Sequence, residues 1–298
     1  MRLICVGECM VELAPEPGGL MRRGFAGDTF NTAWHARRAL PEGWTIGYLT
    51  TLGSDAVSDE MLAFMQAAGI DTRDVARHPT RGPGLYMITL HDGERSFTYW
   101  RDASAARCLA DDADRLAAAF KDAHTVFLSG ITLAILDAQG RDRLFAALEV
   151  ARRAGARVAF DPNIRPRLWS DMDEMRATVM RFATIADLCL PSFEDESDHF
   201  GDANPAATAA RYRTAGSGEV VVKNGGAEIT VLSEDGATLC FDPGPPVRPV
   251  DTTGAGDSFN AGYLAARLKG AEIEEALREG HALACRVIGH RGALTPND

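Results

Sequence analysis

Gly254-Ala255-Gly256-Asp257 stands where a helical pattern, Ala255–Leu268, begins. Glycines let the backbone bend so that several N–H groups converge on one spot. A helix N-terminus adds unpaired donors and a partial positive charge. Together these features suit an anion such as a phosphoryl group in transfer. Asp257 brings a carboxylate to the same spot, and a carboxylate beside an incoming hydroxyl can take its proton as general base. A tight turn followed by a plain helix cap uses the same four residues, and these residue types alone do not separate the two readings.

A second set lies in RSFTYWR, Arg95–Arg101. Period-two alternation puts Tyr99 and Arg101 on one face, with Phe97 behind them. Tyr86 belongs to the partner run LYMITL, Leu85–Leu90. A phenol beside a guanidinium suits a carboxylate flanked by hydroxyls, because Arg can hold a carboxylate through two parallel hydrogen bonds. An edge-strand arginine reaching solvent is the plainer alternative. One charge-assisted hydrogen bond contributes about 1.5–3 kcal/mol, enough to favour an acidic ligand over a neutral analogue roughly ten- to hundredfold. Arg165 can add to this, since it follows Asn163 at the end of a strand-like run, where α/β sheets bind ligands. The seven histidines form no cluster. His35, His281 and His290 fall in helical patterns and read as structural.

The elements that must position these residues alternate. Strand-like runs are Leu3–Val6, Ile46–Leu52, Thr125–Leu128, Arg157–Phe160, Leu188–Leu190 and Val220–Lys223. Helical patterns include Asn31–Leu40, Ala56–Ala68, Gln139–Ala154 and Asp173–Ala183, with Ala255–Leu268 and Ile273–Gly289 consecutive near the end. The alternation predicts βαβ units and a mostly parallel sheet covered by helices. One hairpin interrupts it: the two runs carrying Tyr86 and Tyr99 are joined through Asp92-Gly93, a strong two-residue turn signal. Such a hairpin is either an edge decoration or a lid. The acidic clusters Asp111–Asp114 and Glu194–Asp198 read as solvated helix starts.

The bulk properties exclude several classes. The 298 residues suffice for one large α/β domain, or a domain with a small appendage. A formal net charge of −11 makes a poor general nucleic-acid binder. The six cysteines form no CxxC pair and read as free thiols of a reducing cytoplasm. No apolar window is long enough for a membrane helix. A cytoplasmic, soluble protein is the expectation. There is no Walker A loop and no protein-kinase HRD motif. Nor is there an early GxGxxG, since the first strand-like run ends in GECM, which argues against a nicotinamide dehydrogenase.

The whole segment DTTGAGDSFNAG, Asp251–Gly262, resembles the second signature of the ribokinase-like, or PfkB, carbohydrate kinases. VGECMVEL, GFAGDTFNTA, SGITLAIL, DPNIRPRLW and VVKNGG extend the resemblance nearly end to end, towards the 2-keto-3-deoxygluconate kinases of that family. The resemblance implies a Rossmann-like α/β fold in a single domain over residues 1–298, with a small β-sheet lid from about 9–13 and 84–101. It implies that Asp257 is the base and that Gly254, Ala255 and Gly256 form the anion hole. It also implies that Asp251 and Thr253 help hold a monovalent cation, with K⁺ the candidate.

In the first signature the family's two adjacent glycines are Ala26-Gly27 here, while Gly27, Asp28 and Asn31 match. These imply sugar contacts, since small residues admit the sugar and Asp and Asn pair with hydroxyls. An N-cap and a buried helix polar residue are the alternative for Asp28 and Asn31. The match also covers Tyr86, Tyr99 and Arg101 for the substrate, with Arg165 between substrate and γ-phosphate. Lys223, Gly225, Asn163 and Ser192 match positions near nucleotide, phosphates and magnesium. The family's Asn-x-x-Glu is Ser192 and Asp195 here, and Asp195 can still order Mg²⁺ through water. The implied reaction takes ATP, Mg²⁺ and a small sugar acid, 2-keto-3-deoxygluconate phosphorylated at its 6-hydroxyl. The rivals are a fructokinase, a 5-dehydro-2-deoxygluconokinase, and a non-catalytic sugar-binding regulator on the same fold. A homo-oligomer along the lid strands is an expectation by analogy alone.

Overall fold

The run RLICV forms β1 (Arg2–Val6), buried along its whole length. It lies inside the large sheet of the computed structural model, which describes residues 1–91, 94–245 and 247–295. After β1 come β2 (Met10–Glu16), β3 (Leu20–Ala26), α1 (Asp28–Ala39), β4 (Thr45–Leu52), α2 (Ala56–Ala67) and β5 (Val75–Arg77). The hairpin strands β6 (Leu85–His91) and β7 (Glu94–Trp100) follow, then α3 (Ala113–Phe120), β8 (Thr125–Ser129), α4 (Gly130–Ile135) and α5 (Ala138–Arg153). The chain continues through β9 (Arg157–Asp161), α6 (Met172–Ala183), β10 (Leu188–Cys189), α7 (Phe193–Phe200) and α8 (Pro205–Ala215). It ends with β11 (Glu219–Val222), β12 (Ile229–Leu232), β13 (Thr238–Phe241), α9 (Ala255–Leu268) and α10 (Ile273–Ile288).

Nine of these strands form one sheet in the order β13-β12-β11-β10-β9-β8-β1-β4-β5. From β11 to β5 every pairing is parallel, and β12 and β13 close the other edge antiparallel. Strands buried on both faces need near-continuous apolar runs. LICV, IGYLTTL, TVFLS and EVVV supply them. Two apolar clusters result. One is built around Ile4, Val126, Phe160 and Leu148, the other around Leu3, Ile46, Phe30 and Tyr263. Side-chain caps start the helices: Asp55, Asp112, Asp137 and Asn204 each accept a backbone N–H in the following turn. Each such cap contributes about 1 kcal/mol. The strand order turns back at β1, which has β4 on one side and β8 on the other. Ligands of open α/β sheets bind at such a switch point, beyond the carboxyl ends of the strands.

The remaining four strands form a second sheet, ordered β3-β2-β6-β7. Tyr86 pairs directly with Tyr99 across β6 and β7, while Asp92-Gly93 lies outside the described residues. An aromatic stack fixes this sheet to the body: Phe25 of β3 lies 5.4 Å from Phe64 of α2, which stacks on Trp34 of α1 at 5.3 Å. Two features differ from what the sequence predicts. β3 was not foreseen as a strand of the small sheet. His290 stands two residues beyond the end of α10, not within a helix. Among the described residues no helix is long and apolar enough to cross a membrane.

Candidate active site

Gly254 caps α9 with φ 76°, in the left-handed region that favours glycine, and Asp257 lies in the first turn behind it. A side chain at Gly254 would also collide with Ala293, whose Cβ lies 2.7 Å from where the new carbon would stand. The turn is therefore glycine for two independent reasons. Helix α1 lies against α9. From α1, the Asn31 amide nitrogen donates to Asp257 Oδ2 at 2.8 Å, and the Thr32 hydroxyl donates to the Asp257 carbonyl at 3.2 Å. One turn earlier on the same helix, Asp28 Oδ2 accepts from the Asn163 amide at 3.0 Å. Asn163 is the non-glycine residue with positive φ among the described residues, at 34°. Asn tolerates that region better than most residues, and the conformation turns the loop after β9 towards α1.

Behind the glycine turn lies a buried polar cluster. Lys223 Nζ donates to Asp161 Oδ2 at 2.7 Å and to Asn260 Oδ1 at 3.2 Å, and the Asn260 amide donates to the same Asp161 oxygen at 2.6 Å. A methyl group on Gly256 would stand 3.7 Å from this ammonium. The turn thus has a fixed cation close by, in addition to the positive end of α9. Burial first, then the Asp28 carboxylate, pushes the Asp257 carboxyl up to about 7, while the Asn31 hydrogen bond opposes the rise. A carboxylate held near neutrality in this way is suited to accept a proton. Asp195, in the first turn of α7, is also raised, chiefly by burial, with Arg165 opposing. Arg165 Nη1 donates to the Ile164 carbonyl at 2.7 Å and lies 3.5 Å from Asp195.

The small sheet carries the second constellation. Tyr86, Phe97 and Tyr99 share one face, with ring centroids 5.9–6.3 Å apart. The Arg101 guanidinium lies 5.8 Å from the Tyr99 ring. Tyr99 is 45% exposed, but Arg101 is only 6% exposed, so it is not an arginine reaching into solvent. Its Nε and Nη2 both donate to Oε2 of Glu8, in the loop after β1, with the Nε distance 2.9 Å. The Tyr86 hydroxyl donates to Glu12 of β2. Gly27 joins the two constellations. A Cβ there would stand 2.1 Å from the Glu8 carbonyl oxygen, so the start of α1 can abut the Glu8 loop only as glycine.

The structure thus brings together Gly27, Asp28, Asn31, Asn163, Lys223, Gly254, Ala255, Gly256 and Asp257, with Arg165 and Asp195 beside them. Ser192 precedes α7 and forms an isolated bridge with Lys223. Gly225 stands apart in an open turn with φ 57°. Asp251 Oδ1 accepts from the Thr253 N–H, and Oδ2 accepts from the Gly292 N–H. Sequence reasoning assigned no role to Glu8, Glu12, Asp161 or Asn260. For the two glutamates a signal existed: acids inside the apolar stretch LICVGECMVEL need partners once buried.

The pfkB family carbohydrate kinase model matches residues 1–298. The 2-dehydro-3-deoxygluconokinase of Dickeya dadantii is 40% identical, over 98% of this chain and 96% of its own length. That of Escherichia coli K12 is 39% identical, over 100% of this chain and 98% of its own. A crystal structure of a PfkB protein from Polaromonas sp. JS666 superimposes with a TM-score of 0.86 at 29% identity, covering 97% of this chain and 96% of that one. By whole-length match and by fold, this chain belongs to the PfkB family of carbohydrate kinases.

Proposed function

We propose that the chain transfers the γ-phosphate of ATP to the 6-hydroxyl of 2-keto-3-deoxygluconate, the sugar acid also called 2-dehydro-3-deoxygluconate. The observation that carries this reading is the Asp257 carboxylate, oriented by Asn31 in the first turn of α9 beside the glycine turn. Two relatives bearing the name of this activity match nearly end to end. In the proposed step Asp257 takes the proton of the 6-hydroxyl as its oxygen bonds to the γ-phosphorus. The bond to the bridging oxygen breaks and ADP leaves with the electron pair. The N–H groups of Gly254 and Gly256 and the nearby Lys223 ammonium stabilise charge on the transferred group, while the Ala255 N–H donates to the Thr252 carbonyl at 3.2 Å and holds the turn closed.

Asp28, Asn31 and Gly27 serve the acceptor's hydroxyls in this reading, and Asn163, Arg165, Ser192, Lys223 and Gly225 serve the nucleotide side. Asp195, whose carboxyl pKa is raised chiefly by burial and which lies beside Arg165, would hold Mg²⁺ through water. Among the described residues no group of three or more His, Cys, Asp or Glu forms a metal cluster. A single carboxylate matches an ion that keeps phosphate and water ligands. Mg²⁺ supplies charge neutralisation to the phosphates when bound. Asp251 and Thr253 take the monovalent-cation role, because carboxylate, hydroxyl and backbone carbonyl oxygens are the ligand types such an ion needs. The β3-β2-β6-β7 sheet acts as a lid that excludes water. Its strands reach beyond the segments 9–13 and 84–101, because residues 20–26 add an edge.

Tyr86, Tyr99 and Arg101 hold the acceptor under that lid. The Tyr86 proton is committed to Glu12, so Tyr86 can only accept, and its partner is a hydroxyl rather than the carboxylate. Arg101 presents to the carboxylate the edge that Glu8 leaves open. One observation favours a neutral acceptor: Glu8 already offsets much of the Arg101 charge. ADP release measured across a panel of sugars and sugar acids separates the readings. Highest kcat/KM on 2-keto-3-deoxygluconate is the expected outcome. Faster turnover of fructose would favour a fructokinase, and binding without ADP release a regulator.

A further inference from the structure

His35 is 2% exposed, in the body of α1. Its Nε2 lies 2.8 Å from the Ala293 carbonyl oxygen. A carbonyl only accepts, so Nε2 carries the hydrogen. Burial, Arg38 and Arg286 all hold the imidazole pKa below its ordinary value, against the Ala293 bond, so the ring stays a neutral donor. A satisfied core histidine would account for the bond itself. The further observation is where its partner sits. Ala293 is the residue against which Gly254 is packed, with no room for a Cβ between them. The preceding residue, Gly292, donates its N–H to Asp251 at the other end of the same signature. Segment 290–294 therefore backs the glycine turn and is fastened at two places, by Asp251 and by His35.

The fastening belongs to a larger pattern. Asp28, Asn31, Thr32 and His35 are spaced so that they lie along one side of α1. They reach the loop after β9, the Asp257 side chain, the Asp257 backbone and the backing segment in turn. We infer that His35 is a positioning residue for the phosphoryl-binding turn, holding Ala293 against Gly254 so that the turn's N–H groups keep their aim. This rests on the reading of Gly254–Gly256 as the anion hole. An anion hole acts on charge that develops in the transition state, so loosening it lowers kcat and leaves acceptor KM nearly unchanged.

The experiment compares His35→Phe, which keeps bulk and removes the donor, with His35→Gln, whose amide reaches about as far. ADP release gives kcat and both KM values for 2-keto-3-deoxygluconate and ATP, and thermal melting reports the fold. The expected result is a kcat about ten- to hundredfold lower in His35→Phe, the scale of a small misplacement of catalytic groups. Acceptor KM stays within about twofold, and His35→Gln recovers most of the loss. If His35→Phe does not fold, His35→Asn, whose amide is too short to reach Ala293, replaces it with the same expectation. Wild-type kcat in a folded Phe or Asn variant, equal losses in Phe and Gln, or a change confined to acceptor KM would overturn the inference. So would failure of all three variants to fold, which would make His35 a core residue only. Full activity of Asp257→Asn would instead remove the underlying reading, so the two failures are distinguishable.

Discussion

Asn31 and Asp257 are 226 positions apart in the chain, yet the Asn31 amide donates to Asp257 Oδ2 at 2.8 Å. The bond ties α1 to the first turn of α9 and sets the plane of the carboxylate. It also works against the two strongest influences on that carboxyl, burial and Asp28, both of which favour the protonated form. The proposed base is therefore balanced between environments that pull it in opposite directions.

Removing the Asn31 donor tips the balance. A hydrogen bond to a carboxylate favours its charged form, so Asn31→Ala should raise the Asp257 pKa further. The acid limb of the kcat/KM profile should move to higher pH by about half a unit or more, one unit corresponding to 1.36 kcal/mol of differential interaction. A limb that stays in place, or moves to lower pH, would disconnect Asn31 from the titrating group.

The same balance makes a stability prediction with a definite sign. The folded-state pKa of Asp257 is raised above its ordinary value. Its contribution to stability is then full at pH below the unfolded value and is lost as pH rises through about 7. Asp257→Asn removes that penalty. Its Tm should exceed wild type at pH 8 by roughly 2–4 °C, corresponding to about 1 kcal/mol, with the gain shrinking towards pH 4. A gain that grows on acidification would contradict the sign.

Glu8 and Arg101 form a buried ion pair between the loop after β1 and the end of β7. Leaving one buried partner alone costs about 3–5 kcal/mol. Arg101→Met should therefore lose more stability than the double variant Glu8→Gln/Arg101→Met in urea unfolding. Both should raise KM for the keto acid far more than KM for ATP. Additive stabilities, or equal effects on the two KM values, would argue against the pair as the link between lid and acceptor.

Much of the fold was legible because parallel strands buried on both faces are written as apolar runs, and LICV, TVFLS and EVVV could be read directly. The glycine turn was legible because it is local: positive φ, helix start and carboxylate fall within four residues. β3 was not, since LMRRGFA carries two adjacent arginines and lies mostly exposed, without alternation. The pairings of Glu8 with Arg101 and of Lys223 with Asp161 join residues 93 and 62 positions apart. Spacing carries no record of such partners; only the fold brings them together. His35 read as structural for the same reason, because its meaning depends on Ala293 lying behind Gly254.

The central claim is that Asp257 is the base of a phosphoryl transfer to a sugar-acid hydroxyl, and single-substitution kinetics test it most directly. The measurement is kcat for ADP release by folded Asp257→Asn with saturating ATP and 2-keto-3-deoxygluconate, beside wild type. Loss of the base should lower kcat about 10²- to 10⁴-fold, with both KM values little changed. Turnover within a few-fold of wild type would contradict the claim.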